Sequence, residues 1–278
     1  MGVTLDLAEE VRSVVAAALA EDIGTGDVTT EAVVPAEARS RATVVLREPG
    51  VVCGLDAVGA AFAALDPGAR LERLAADGDL VEAGPVARVE ATARAILTAE
   101  RTALNILGRL SGIATATRRH VDAIAGTGAV VLDTRKTTPG LRRLEKHAVR
   151  CGGGVNHRFG LADGVLVKDN HLLAVPSIAE AVKRLRASTA LPIKVECDTL
   201  DQVDEALAAG ADALLLDNMT LADLREAVRR SSGRARLEAS GGITLDTIRQ
   251  VAETGVDEIS VGALTHSSRS LDVSLEVS

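Results

Sequence analysis

The stretch LPIKVECDTLDQVDEALAAGADALLLDNM, residues 191–219, reads as strand, helix, strand. Ile193, Val195 and Cys197 alternate with charged positions, and 213–216 is an unbroken apolar run of strand length. Between them Thr199 stands before Leu200 with Gln202 three residues on, the pattern of a capping box, and Gly210 offers a helix stop. Outward from here the unit recurs. Short apolar runs ending in charge or glycine occur at AVVLD (129–133), GVLVKD (164–169), ARLEAS (235–240) and EISVG (258–262). The helix starts Ser177-Ile, Thr199-Leu, Thr220-Leu and Thr244-Leu lie 22, 21 and 24 residues apart, Glu180 is placed to complete a second box, and Gly233 and Gly255 offer further stops. Apolar strands alternating with helices predict a parallel sheet with the period of a TIM-like barrel. Six recognisable strands are fewer than eight, so the barrel is expected to be incomplete.

Before residue 112 the pattern changes. An amphipathic helix is expected from about Leu5 to Ala20, then the strand-like ATVVLREPGVVCG, a helix near Leu55 to Ala64, and RLERLAADGDLVEAGPVARVEATARAIL, which resembles a sandwich or hammerhead module. That last stretch is also similar to a lipoyl or biotinyl carrier, but it holds no Lys for attachment. A long helical pattern from Thr98 through Ala125, with Ile106, Leu107, Leu110 and Ile113 on its buried side, is expected to carry the domain boundary. Its other face, Arg101, Asn105, Gly108, Gly112 and Thr115, is polar or small and suits close approach to another surface.

The chain of 278 residues is 47% hydrophobic and 25% charged, with a formal net charge of -8. Those values fit a folded globular protein and exclude a nucleic-acid surface, which needs clustered cations. The opening MGVTLDLAEE has acids where a signal peptide needs cations, and Asp6 stands where a myristoylation motif needs Ser or Thr. Apolar runs such as the one around Val14 to Ala20 fall short of the roughly 20 residues of a bilayer span. A cytoplasmic protein without membrane or nucleic-acid partners is expected. Cys53, Cys151 and Cys197 are far apart and show no CxxC spacing, which suggests neither a disulfide framework nor a zinc site.

Chemistry in parallel βα architectures sits at the carboxyl ends of the strands. Alternation puts Lys194, Glu196 and Asp198 on one strand face, and Arg236, Glu238 and Ser240 on one face of another. These are either interior ion pairs or ligand contacts. All five Lys of the chain lie at or beyond position 136, and Lys136, Lys168 and Lys194 adjoin apolar runs where an ammonium needs a partner or a purpose. LDTRKTTPG (132–140) and CGGGVNHRFGLADGVLVKDNH (151–171) together supply Arg135, Lys136, His157, Arg158 and Lys168, a cation cluster that implies a polyanionic ligand. ASGGI (239–243) and SVGALTH (260–266) place glycines at strand-to-helix turns, where backbone N–H groups can cradle a phosphate, although either alone reads equally as a tight turn. Glu196 and Asp217 end neighbouring strands and suit ribose hydroxyls or a magnesium-bound pyrophosphate.

Together with EDIGTGDVTT (21–30), ERTALNILGRLSGIAT (100–115), DTRKTTPGLR (133–142), GGGVNHRFGLADGVLVKDNH (152–171), VEC (195–197), LLDNM (215–219), EASGGI (238–243) and SVGALTHS (260–267), the chain resembles the quinolinate phosphoribosyltransferase family over nearly its whole length. The resemblance implies an α/β protein: an N-terminal, hammerhead-like α/β sandwich over 1–112 and an open α/β barrel of six to seven parallel strands over 113–278. It implies a homodimer in which each site is completed by the partner, and transfer of phosphoribosyl from phosphoribosyl pyrophosphate to quinolinate with decarboxylation. Carried over by position, Thr134, Arg135, Lys136, His157, Arg158 and Lys168 hold quinolinate, with Arg101 arriving from the neighbouring subunit. Lys136, lying between quinolinate and pyrophosphate, is grouped with Glu196 and Asp217 as catalytic. Glu196 and Asp217 position ribose and magnesium, partly through substrate and water. Ser240, Gly241, Gly242, Val261, Gly262, Ala263 and His266 take the phosphoribosyl pyrophosphate. Three other readings compete: a paralogue acting on another pyridine or a molybdate-linked ligand, a Schiff-base lyase using Lys168 or Lys194, and a non-enzymatic metabolite-sensing or assembly module, which would have lost the strand-end charges present here.

Overall fold

The computed structural model describes residues 7–278, so the expected helix start at Leu5 and the position of Asp6 lie outside the described residues. The described chain runs α1 (Leu7–Ile23), α2 (Val28–Val33), β1 (Arg39–Leu46), β2 (Gly50–Val51), α3 (Leu55–Leu65), β3 (Arg70–Arg73), β4 (Leu80–Val81), β5 (Gly84–Thr92) and α4 (Ala93–Ala123). It continues through β6 (Val130–Leu132), α5 (Arg142–Cys151), β7 (Val165–Val167), α6 (Asp169–Leu172), α7 (Ile178–Ser188), β8 (Ile193–Cys197), α8 (Leu200–Ala208) and β9 (Ala213–Asp217). It ends with α9 (Leu221–Ser231), β10 (Arg236–Ser240), α10 (Ile248–Ala252), β11 (Glu258–Ser260), α11 (Ala263–His266) and β12 (Val273–Val277). Two compact units form. One takes the described residues through Arg118 with Thr137–Gly153 and Leu264–Ser278; the other takes Arg119–Lys136 and Gly154–Ala263.

In the first unit an antiparallel sheet of order β12-β1-β5-β3 contains the last strand of the chain beside the first, with Val44 opposite Leu275. Helix α1 buries Val11, Val15 and Leu19, one residue per turn, and α3 buries Val58, Ala61 and Phe62. Helix α4 begins at Ala93, earlier than the expected Thr98, so the ARAIL segment is helical and does not belong to a strand. Leu107, Leu110 and Ile113 are buried on it as expected, while Ile106 is only half-buried.

The small-residue face of α4 is largely occupied by the chain itself. Ser111 Oγ accepts from Cys53 N–H at 3.0 Å, and Thr115 Oγ1 accepts from Val51 N–H at 2.8 Å. A Cβ on Gly112 would run into the carbonyl oxygen of Arg269, and one on Gly108 would lie 2.9 Å from that of Leu271. The two glycines therefore let the segment before β12 press onto the helix. Gly112→Ala should lower stability by about 1–3 kcal/mol, the usual cost of overpacking, although alanine favours helix more than glycine does. A thermal melt unchanged or raised by the substitution would contradict that packing. Arg101, on the same face, is exposed.

The second unit is the expected parallel α/β structure: six parallel strands in the order β6-β11-β10-β9-β8-β7. The first strand of the unit pairs with the last, as in a barrel, but no ladder joins β6 to β7, and only a parallel bridge from Leu132 to Val155 extends that edge. Local chemistry starts and stops the helices. Thr199 and Gln202 form the full capping box, and Thr220 accepts from Asp223 N–H. Ser177 accepts from Glu180 N–H, but the Glu180 carboxylate pairs with Arg184 at 2.8 Å and does not complete a box. Thr244 does not cap: 244–247 form a turn in which Thr244 N–H donates to Thr247 Oγ1, and α10 begins at Ile248. Gly210, Gly233 and Gly255, at φ of 78°, 77° and 94°, take the left-handed turn after their helices.

Candidate active site

The carboxyl edge of the parallel sheet gathers most of the residues singled out from the sequence. Thr134, Arg135 and Lys136 follow β6, Lys168 follows β7, Glu196 lies near the end of β8 and Asp217 closes β9. Ser240 closes β10 and leads into Gly241 and Gly242, while Val261, Gly262 and Ala263 follow β11. Arg101 and His266 belong to the first unit.

Several of these residues are held by direct contacts. Lys168 Nζ donates to Glu196 Oε2 at 2.8 Å across neighbouring strands, and Asp217 is level with Ser240 in the β9–β10 register. Asn218 Nδ2 donates to Asp217 at 2.6 Å, and Asn218 itself stands at φ 54°. A Cβ on Gly241, at φ 99°, would collide with the Asn218 carboxamide, so only glycine fits this turn. Lys136 is exposed, with its backbone N–H on Thr134 Oγ1 at 3.0 Å.

The 155–158 segment is fixed from below by Asp133, which is fully buried at the end of β6 and accepts from His157 N–H at 2.9 Å and from Asn156 Nδ2 at 2.6 Å. His157 Nδ1 accepts from the Arg158 backbone N–H at 2.8 Å, leaving the proton on Nε2, which faces Glu238 Oε2 at 3.3 Å. Arg158 Nη1 donates to Gly164 O at 2.8 Å, and its buried Nε finds no acceptor among the described residues. Burial, and then the neighbouring Arg135 charge, lower the Arg158 pKa. Like charges near one another favour an anion between or beside them, and Asp163 already acts in that sense on Arg158.

Glu238 is the centre of the interior ion-pair network. It is 1% exposed and accepts from Lys194 and Ser260 as well as facing His157; Lys194 also reaches Glu258 at 3.0 Å, and Arg236 reaches Glu258 at 3.0 Å. Burial alone would raise the Glu238 pKa, but the hydrogen bond to His157 and the Lys194 charge bring it down to about 2. Burial opposes the Lys194 charge, yet Glu238 and Glu258 raise its pKa on balance. Of the two alternatives for these strand faces, Lys194 is an interior ion pair, while Arg236 pairs with Glu258 from an exposed position. A protonated, doubly paired Lys194 is the reverse of the depressed amine that a Schiff-base lyase needs.

Three anchoring carboxylates were not singled out by the sequence reading as such: Asp133, Glu238 and Glu145. Glu145, fully buried in the first unit, accepts from Thr138 Oγ1 at 2.7 Å and N–H at 3.0 Å, and from Arg109 at 2.8 Å, which orders the turn after Lys136. Asp133 had a local signal, a charge closing a strand. Nor are the three glycines of the 152–154 run equivalent: Gly152 presses against Ala114 O and Thr117 on α4, and Gly153 takes φ 90°. That part of the run serves packing and turning.

A parallel sheet carrying clustered cations, carboxylates and glycine turns along its carboxyl edge has the site architecture of an α/β-barrel enzyme. Comparison with known proteins agrees. Residues 27–111 match the quinolinate phosphoribosyl transferase N-terminal domain and residues 113–276 match the C-terminal domain of the same enzymes. The nicotinate-nucleotide pyrophosphorylase [carboxylating] of Mycobacterium leprae (strain TN) is 46% identical over 280 residues, spanning 97% of this chain and 98% of that one. The solved nicotinate-nucleotide pyrophosphorylase of Francisella tularensis is 40% identical with a TM-score of 0.92, covering 98% of this chain and 97% of its own. NadC from Streptococcus pyogenes is 38% identical with a TM-score of 0.94, covering 100% and 99%. The chain belongs to the quinolinate phosphoribosyltransferase family.

Proposed function

We propose that this protein transfers the phosphoribosyl group of phosphoribosyl pyrophosphate to quinolinate, with loss of pyrophosphate and carbon dioxide, to give nicotinate mononucleotide in NAD biosynthesis. The observation that carries the reading beyond family membership is the Arg135–Arg158 pair, with the buried, acceptor-less Nε of Arg158. A pyridine bearing two adjacent carboxylates offers an acceptor for the Arg158 Nε and negative charge beside the two guanidinium groups. Lys168 and His157 border the same ligand, and Lys136 lies between it and the departing pyrophosphate. Glu196 and Asp217 orient the ribose, and the turns at Ser240, Gly241 and Gly242 and at Val261, Gly262 and Ala263, with His266, take the phosphate.

As pyrophosphate leaves, C1 of the ribose gains oxocarbenium character and the pyridine nitrogen attacks it; no protein nucleophile is required. The ribosylated ring nitrogen is cationic, and it stabilises the carbanion left when the adjacent carboxylate departs as carbon dioxide. Glu196 and Asp217 offer hard carboxylate oxygens on adjacent strand ends, a donor set that suits magnesium. When bound, magnesium neutralises charge on the pyrophosphate. The protein is further proposed to act in the cytoplasm as a homodimer in which Arg101 reaches the partner's quinolinate. No helix among the described residues is long and apolar enough to cross a membrane.

The test is pyrophosphate release with quinolinate, nicotinate and nicotinamide in turn. Quinolinate alone should be turned over, because nicotinate lacks the 2-carboxylate that the guanidinium pair takes. Equal turnover of nicotinate would refute the reading and favour a paralogue acting on another pyridine.

A further inference from the structure

Four metal-ligand side chains converge in the first unit, well separated along the sequence and with no part in the proposed reaction. They are Cys53, between β2 and α3; Asp77, in the loop before β4; and His147 and Cys151, one turn apart on α5, where a spacing of four puts both on one face. Their donor atoms all lie within 4.8 Å of one another. His147 Nε2 is 3.2 Å from Asp77 Oδ2 and 3.4 Å from Cys151 Sγ.

We propose that Cys53, Asp77, His147 and Cys151 form a structural site for one thiophilic divalent cation of the zinc type, independent of the magnesium of catalysis. The spacing fits. Tetrahedral zinc with bonds of about 2.0–2.3 Å separates its ligand atoms by roughly 3.3–3.8 Å, close to the two distances observed. The pattern also differs from a cysteine–histidine–aspartate catalytic arrangement. There the carboxylate and the thiol engage opposite ring nitrogens, whereas here both meet the same Nε2, which carries at most one proton to share. A cation at the common point satisfies all four donors. The second layer is built as well: Asp77 accepts from Gly54 N–H at 2.9 Å and Leu55 N–H at 3.2 Å, and Ser111 Oγ accepts from Cys53 N–H, so the carboxylate and the first thiol are held in place. Two sulfur donors select against magnesium and calcium. The bound ion would tie the end of α5 to the loops before α3 and β4, with release of the thiol protons.

Without a cation the same groups form a hydrogen-bonded set. Cys53 donates to Cys151, which with His147 holds the Cys151 thiol down to about 6, and Asp77 raises His147 to about 9. The untagged protein should be stripped with chelator, titrated with cobalt(II) and then zinc, and assayed for metal content after dialysis. One equivalent per chain is expected, with the visible ligand-field absorption of tetrahedral thiolate-bound cobalt, displacement of that absorption by zinc, and a raised melting temperature. Cys151→Ser and Asp77→Asn, checked for native circular dichroism, should lose the cobalt absorption while still releasing pyrophosphate. Protein that retains no metal, shows no such absorption and leaves both thiols equally reactive with and without zinc would overturn the site and leave the hydrogen-bonded set. The wild-type titration decides this even if a variant fails to fold, and none of these readouts depends on which pyridine the enzyme uses.

Discussion

Glu238→Ala is expected to lower stability by about 3–5 kcal/mol, the range for removing one partner from a buried ion pair. The loss leaves Lys194 with Glu258 alone, and it takes the acceptor from Ser260 and from the Nε2 proton of His157. Glu238→Gln should cost less, since the amide oxygen still accepts although the charge is gone. The carboxyl is ordinarily near 4.5 and here lies at about 2. The stability it contributes is therefore fully present above 4.5 and is lost as pH falls towards 2, so the difference between wild type and Glu238→Gln should shrink on acidification through that window. Denaturant unfolding at several pH values measures all of this. Losses below about 1 kcal/mol for both variants at neutral pH would show that the carboxylate does not centre the network.

The second large effect concerns subunits. If Arg101 completes the partner's quinolinate site, Arg101→Ala and Glu196→Ala enzymes should each be nearly inactive. Exchanging their subunits then places both defects in one site of each mixed dimer and leaves the other whole. Random mixing makes half the dimers mixed, and half of their sites intact, so activity should return to about a quarter of wild type. Exchange proven by mass spectrometry with activity still at the mutant level would remove Arg101 from the partner's site. The structure narrows what an interface could use on the small-residue face of α4: Gly108 and Gly112 already receive the chain's own segment before β12, and Thr115 accepts from Val51 N–H, so on that face Arg101 and Asn105 are the exposed positions.

The alternation of strand and helix, and with it the parallel sheet, was legible because each repeat is specified locally. Thr199 and Gln202 close their capping box with atoms three residues apart, and Gly210, Gly233 and Gly255 supply a backbone conformation few other residues adopt. Thr244 failed as a cap because its hydroxyl meets Thr247 Oγ1 at 3.2 Å, within a turn in which Thr247 Oγ1 also accepts from the Thr244 N–H. The presence of strand-end polar groups at Glu196, Asp217 and Ser240 was also legible, since a strand's period fixes which side chains share a face.

What the sequence determined by itself was therefore the fold class, the parallel order of chemistry along strand ends, and the cation-rich segments 132–140 and 151–171. Only the tertiary structure decided which charges serve the scaffold. Lys194 and Lys168 look alike in sequence, yet one is locked between Glu238 and Glu258 and the other pairs with a single carboxylate at the sheet's edge. Likewise, three cysteines with no metal-binding spacing gave no hint that two of them meet His147 and Asp77. The reason is physical: capping and alternation act over one to four residues, whereas a buried charge or a thiol takes its role from partners that chain folding brings from tens of residues away.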